Sequence, residues 1–155
     1  MLRRASIELS AGNCNSSGRI FSKRNGTAYS LWSLSLENRK VMPFDNVQST
    51  DPINATFSPD GHWVVYAMND RGGGTTSPNR GIYVEPFPAT GARYQVPKEF
   101  NDFHPTWSPT MAELFYLPRA TQFSAVSIQM TPNVRFGKAV SLSSRAASAA
   151  PAASF

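Results

Sequence analysis

An all-β fold assembled from repeated antiparallel sheets is what this sequence predicts, and three observations predict it. Thr56-Phe-Ser-Pro-Asp-Gly-His-Trp-Val-Val-Tyr66 returns fifty positions later as Thr106-Trp-Ser-Pro-Thr-Met-Ala-Glu-Leu-Phe-Tyr116, and a period of about 20–50 residues marks solenoids, propellers or arrays. A second element repeats with it. Ile82-Tyr-Val-Glu-Pro-Phe87 stands 51 positions after Leu31-Trp-Ser-Leu-Ser-Leu36, with Phe123-Ser-Ala-Val-Ser-Ile128 as a weaker counterpart. Third, short apolar runs follow one another at even spacing, and no helical period is sustained anywhere. Roughly four strands per 40–50 residues select a propeller blade over a sandwich. With two full units and a partial first, the expected architecture is a β-propeller arc of two to three antiparallel blades, an incomplete ring.

The elements follow in order. Residues 1–19 have no period, are rich in Ser, Asn and Gly, and read as loop or disorder. Residues 20–142 carry the repeats, in units of about 20–45, 52–97 and 103–142. In the first, Ile20 to Ser22 is a strand. Asn25-Gly26 is a hairpin signal because that pair tolerates the positive φ of a tight turn. Tyr29 to Leu36 and Lys40 to Phe44 complete the unit. In the second, Asn54 to Ser58, Trp63 to Met68, Gly81 to Glu85 and Arg93 to Val96 are strands, with a loop from Asn69 to Arg80. In the third, Pro105 to Ser108, Leu114 to Leu117, Phe123 to Met130 and Ala139 to Leu142 repeat the order. Residues 143–155 are an Ala/Ser-rich low-complexity tail.

Composition bounds the function. The chain has 155 residues, 41% hydrophobic and 16% charged, which fits a folded domain with a real core. The net charge of +5 is concentrated at the N-terminus, where Arg3, Arg4, Arg19, Lys23 and Arg24 face only Glu8. A basic terminus explains this better than a nucleic-acid face, which needs clustering on one folded surface, so no nucleic-acid partner is expected. One cysteine, Cys14, excludes an intrachain disulfide framework and a cysteine-rich zinc site. No run approaches the ~18 apolar residues of a membrane-spanning helix, and Ala5 to Gly18 is too polar for a signal peptide.

The two Ser-Pro turns carry a physical logic. The Ser58 hydroxyl fixes the turn by bonding nearby backbone, and Pro59 presets φ at the next position. Asp60 accepts backbone N–H bonds, and Gly61 takes a left-handed conformation costly for other residues. Trp63, Val65 or Tyr66 then fill the space between blades. Ser108 and Pro109 repeat the turn, but Thr110 and Met111 replace Asp and Gly. The expectation is a remodelled turn, or an extra residue absorbed as a bulge.

Few residues offer chemistry. His62 lies in the hairpin turn and reads as a solvated surface residue. His104 precedes Pro105 at a strand entrance, where a propeller places residues near its axial channel; it is the candidate for ligand contact. Two distant histidines form no zinc spacing. Asp51, Asp60, Asp70 and Asp102 lack the alternating carboxylates of a calcium loop. Arg71-Gly-Gly-Gly-Thr-Thr76 has no following lysine and is no phosphate loop. No nucleophile elbow is present. The Asn15, Asn25 and Asn54 sequons read as chance occurrences. Phe57, Trp63, Tyr83, Tyr94, Trp107 and Phe115 sit at strand positions and read as core rather than base-stacking groups. No catalytic, cofactor-binding or metal-binding residue is assigned, and no cofactor is expected.

Phe57-Ser-Pro-Asp-Gly-His-Trp-Val-Val-Tyr66 resembles the repeat of TolB-type propellers, the WD-like repeats with a Pro-Asp signature. Ile82-Tyr-Val-Glu-Pro-Phe-Pro88, Gly91 to Val96, Pro105-Thr-Trp-Ser-Pro109 and Glu113-Leu-Phe-Tyr116 resemble propeller regions found behind bacterial serine/threonine kinase domains. The resemblance covers residues 20–142 and is specific for fold rather than function. It implies a bacterial, periplasmic or otherwise extracytoplasmic protein, and a non-catalytic segment for protein interaction or scaffolding. The alternatives it implies are the sensor part of a receptor serine/threonine kinase and the accessory propeller of a prolyl-oligopeptidase-type hydrolase. The expected partners are another protein or the remaining blades, with self-association through open strand edges.

Overall fold

The computed structural model describes residues 18–69 and 80–142, which form twelve strands and no helix. None of the described residues therefore forms a helix long and apolar enough to cross a membrane. The readings made for residues 1–17, 70–79 and 143–155 lie outside the described residues.

Three antiparallel sheets follow one another along the chain. The first contains β1 (Gly18–Asn25), β2 (Ala28–Ser35) and β3 (Val41–Ser49). Asn25 pairs with Ala28 across a tight turn in which Gly26 has φ 63°, the conformation that the Asn-Gly pair favours. The second holds β4 (Asn54–Phe57), β5 (Trp63–Asn69), β6 (Arg80–Pro86) and β7 (Tyr94–Gln95), in that order. The third runs β8 (Phe103–Trp107), β9 (Glu113–Arg119), β10 (Gln122–Gln129) and β11 (Arg135–Phe136), and β12 (Val140–Leu142) also pairs with β10.

Boundaries moved where alternation was weak. β1 opens at Gly18 rather than Ile20, and β3 continues past Phe44 to Ser49. The outer edge of β10 is shared: β12 pairs at Phe123 to Ala125 and the unforeseen β11 at Ile128 and Gln129. Two residues are too few for a visible period-2 pattern.

Registers align the sheets. Val64 pairs with Glu85 in the second and Leu114 with Val126 in the third. Phe87 N–H bonds to the His62 carbonyl at 2.7 Å, and Ile128 N–H to the Ala112 carbonyl at 2.9 Å. β2 occupies the place of β6, so the first sheet matches the outer three strands of a blade. β1 packs against β4 as β5 packs against β8.

The core lies between sheets, and the period of two on β5 builds both halves of it. Val64, Tyr66 and Met68 join Ile20, Leu31, Phe44, Val47, Ile53 and Phe57 in the junction with the first sheet. Val65 and Ala67 turn the other way, joining Ile82, Val84, Trp107, Leu114, Tyr116 and Val126 in the junction with the third. Val65 and Tyr66 thus fill opposite junctions, and Trp63 is only partly buried. The strand reads as a continuous apolar run because both of its faces are covered.

The Met111 turn corrects the expectation of remodelling. Met111 takes φ 59° where Gly61 takes 76°. The N–H of Gly61 bonds to the Ser58 carbonyl at 2.9 Å, and that of Met111 to the Ser108 carbonyl at 3.0 Å. The hairpin geometry overrides the side-chain preference, holding a non-glycine residue in the left-handed region at a cost of about 1–2 kcal/mol.

Candidate functional site

A cavity of about 620 Å³ opens at one end of the second and third sheets, lined by Pro52, Asn54, Arg80, Phe100, Asn101, Phe103, His104, Arg119 and Ala120. Those residues come from both sheets and from the loops joining them. Three local devices hold them in place.

One is the bend before β8. Asp102 is fully buried and its carboxylate accepts the N–H groups of Glu99 and Phe100, each at 3.1 Å. Burial pushes the Asp102 carboxyl above its ordinary range, against the opposing pull of those two bonds. Asn101 N–H reaches the Pro118 carbonyl at 3.2 Å, fastening the bend to the end of β9. Phe100 is thereby presented at the cavity with 47% of its surface exposed.

The second device is a break in the β8–β9 ladder. Phe103 pairs with Leu117, and the register shifts before Thr106 pairs with Phe115. Irregularities of this kind bend a strand and re-aim its side chains. His104 sits inside the break with φ 50° and its ring edge-on to Phe103 at 5.3 Å. Sequence reasoning singled out His104 from its place before Pro105, and it is exposed on the cavity wall.

The third device anchors Arg80. Its Nη2 lies 2.8 Å from the Asp51 carboxylate, and the Asn69 amide donates to the same oxygen at 3.0 Å. The Ser49 hydroxyl oxygen accepts the N–H of Asp51 at 3.1 Å and that of Asn69 at 3.0 Å. The Arg80 side chain is 6% exposed, and its Nε meets no acceptor among the described residues. Arg119 stands opposite in character. Its guanidinium lies over the Phe100 ring at 4.4 Å, with no carboxylate partner among the described residues. Among the described residues, no acidic side chain lines the cavity.

A separate polar cluster crosses the junction of the first two sheets. Glu85 is fully buried, and its Oε1 accepts from the Tyr66 hydroxyl and, at 2.6 Å, from Arg93 Nε. Arg93 also approaches Asp45 at 3.6 Å. Burial, then the Glu85 bond and charge, push the Tyr66 hydroxyl far above its ordinary value. In the third sheet Tyr116 bonds to Glu99 at 3.1 Å, and burial followed by the Glu99 and Asp102 charges raises it as well. These hydroxyls stay protonated at neutral pH and serve as donors.

The turn residues lie apart from the cavity. The Ser58 hydroxyl accepts the Trp63 N–H at 3.0 Å and donates to Asp60 at 2.5 Å, and Asp60 accepts the His62 N–H at 3.0 Å. Ser108 accepts the Glu113 N–H at 3.1 Å and meets Thr110 at 3.3 Å. Pro59 and Pro109 are exposed within those turns, and none of the six lines the cavity. Sequence reasoning missed Arg80, Arg119 and the Glu85 cluster. The only available signal for Glu85 was a carboxylate inside the apolar run Ile82 to Phe87.

No protein-family model matches this sequence, and no curated protein matches it. Solved structures do resemble its fold. TolB from Acinetobacter baumannii superposes with a TM-score of 0.61 at 15% identity, over 84% of this chain and 32% of that one. A TolB-like protein from Agrobacterium tumefaciens gives 0.61 at 11%, over 88% and 51%. The β-propeller domain of the Trilobed protease from Pyrococcus furiosus gives 0.57 at 10%, over 90% and 44%. The chain spans less than two thirds of each of these proteins. The three described sheets have the fold of a TolB-like β-propeller arc.

Proposed function

We propose that this chain is a non-catalytic propeller segment that works by binding protein, through the apolar faces of its two end sheets. One observation carries the reading. In the middle sheet both faces of β5 are covered by neighbouring sheets, whereas one face of each end sheet is covered by none of the described sheets. On the third sheet Val126 and Ile128 point into the core, while Phe123 lies outside it and Ala125, paired with Phe115 and Val140, is itself buried. Leu142 pairs directly beside Phe123. Phe123, Val140 and Leu142 are 56%, 59% and 43% exposed. On the first sheet Trp32, Leu34 and Val41 share the outward face by register.

What covers such a face elsewhere in the molecule is another sheet of the same repeat, so the occupant is a second propeller sheet, supplied most simply by a second copy. The polar clusters support the non-catalytic half of the reading. Glu85 is engaged by Tyr66 and Arg93, Asp102 by two amides, and Asp51 by Asn69 and Arg80. Each carboxylate holds structure together. On this reading the chain acts outside the cytoplasm, as its resemblance to periplasmic propellers implies.

Size-exclusion chromatography with light scattering tests the proposal. The 155-residue chain should show a mass that rises with concentration at micromolar levels, and Phe123→Ser with Leu142→Ser should lower it. A clean monomer for the unsubstituted chain contradicts the proposal.

A further inference from the structure

We propose that the cavity between the second and third sheets binds an organic carboxylate carrying an aromatic or branched apolar body. This site lies apart from the end faces and does not depend on their role. Two arginines and a histidine line it, no carboxylate among the described residues does, and Phe100, Phe103 and Pro52 supply the apolar wall. A concave, largely apolar site with a few convergent polar groups is the general form of a small-ligand pocket.

The two arginines have complementary roles. Arg80 is already neutralised on one side by Asp51 at 2.8 Å, while its buried Nε has no acceptor among the described residues. Arg119 is held over Phe100 at 4.4 Å, which orients the guanidinium without neutralising it. An arginine presents a planar fork suited to a carboxylate, and Arg119 is the cavity arginine whose fork no described carboxylate claims. Phe100, 47% exposed beneath it, is the surface an aromatic body would cover. His104 adds an independent indication. It occupies the left-handed region at φ 50° inside a ladder break, and strain of this kind gathers at ligand-binding positions. Asn54 and Asn101, also in the wall, provide neutral donors.

A free aryl acid and the C-terminal residue of a peptide share this chemistry. The test uses the 155-residue chain with 3-phenylpropionate, N-acetylphenylalanine, the neutral 3-phenylpropanamide and inorganic phosphate as probes, followed by ligand-observed NMR and titration calorimetry. For acids of this size a Kd on the order of 1 mM is expected. The amide and phosphate should each bind at least about tenfold more weakly, because charge-assisted hydrogen bonds and apolar contact are both needed. Tighter binding of N-acetylphenylalanine supports the proposal with a peptide end as the ligand; tighter binding of 3-phenylpropionate supports it with a free acid.

Arg119→Gln should weaken either acid about tenfold or more. His104→Gly, which relieves the backbone and so keeps the fold, should also weaken it. Arg135→Gln, remote from the cavity, should leave binding unchanged. The proposal is overturned if the amide or phosphate binds as well as the acids. It is overturned equally if folded Arg119→Gln binds like the unsubstituted chain, or if neither acid binds.

Discussion

The second and third sheets are copies of one plan, and the places where they differ separate what the repeat requires from what each copy does with it. Tyr66 and Tyr116 occupy equivalent places and both bury a hydroxyl, but Tyr66 meets Glu85 inside its own sheet while Tyr116 reaches back to Glu99. At the Glu85 place the third sheet has Val126, which is also fully buried. Gly61 and Met111 sit at the same turn position with the same sign of φ. The turn geometry and the tyrosine are thus common to both, and the buried ion pair is particular to the second sheet.

That contrast can be broken most forcefully at Arg93. Glu85 is fully buried, so Arg93→Met leaves its charge without a cation. Removing one partner of a buried pair costs about 3–5 kcal/mol. Because Arg93 is 31% exposed, the low end, about 3 kcal/mol, is expected in urea unfolding. A loss below about 1 kcal/mol would mean that Glu85 is effectively solvated or neutral, and that the ion pair does not distinguish the second sheet.

Alkaline titration sharpens the comparison of the tyrosines. Both have hydroxyls raised by burial and by nearby carboxylates. A raised folded-state value means that their stabilising contribution is fully present below about pH 10, the unfolded value. It is lost progressively as pH rises beyond that. Tyr66→Phe and Tyr116→Phe should each flatten the alkaline decline, and to the same extent up to about pH 11, because both folded hydroxyls are still protonated there and the unfolded tyrosine alone sets the slope. Unfolding midpoints measured from pH 8 to 11 check this equality.

Smaller effects separate the two turns. Gly61→Met should destabilise by about 1–2 kcal/mol by forcing a side chain into the left-handed region, and Met111→Gly should stabilise by about 1 kcal/mol for the same reason. Asp60→Ala should cost about 1 kcal/mol through its bonds to the Ser58 hydroxyl and the His62 N–H. Thr110→Asp with Met111→Gly should be neutral or stabilising. Strong destabilisation by that double change would show that the two turns are not equivalent.

The architecture was legible because the repeat writes itself into local chemistry: Ser-Pro turns, a Gly at positive φ, and apolar strands of period two. Met111 shows the limit of that legibility. A propensity argument at one residue predicted remodelling, and the ladder from Ser108 to Glu113 outweighed it. The cavity and the Glu85 cluster were opaque for a different reason. Asp45, Tyr66, Glu85 and Arg93 come from four separate segments, and the cavity wall spans residues 52 to 120. No local spacing rule connects such residues. His104 was visible only because a histidine before a proline at a strand entrance is locally unusual, whereas Arg119 ends an ordinary strand.

The central claim is that the middle sheet is sealed on both faces while one face of each end sheet is covered by none of the described sheets, and amide hydrogen exchange at concentrations below the onset of self-association tests it most directly. Exchange reports local opening, which is rarest where backbone bonds are covered by packed apolar groups. The amides of β5, from Val64 to Met68, should be the slowest in the molecule. Those of β2 and of the β12 edge should exchange markedly faster under the same conditions. Protection in β2 and β12 equal to that of β5, or a β5 that exchanges with the fastest strands, would contradict the stacked-arc account.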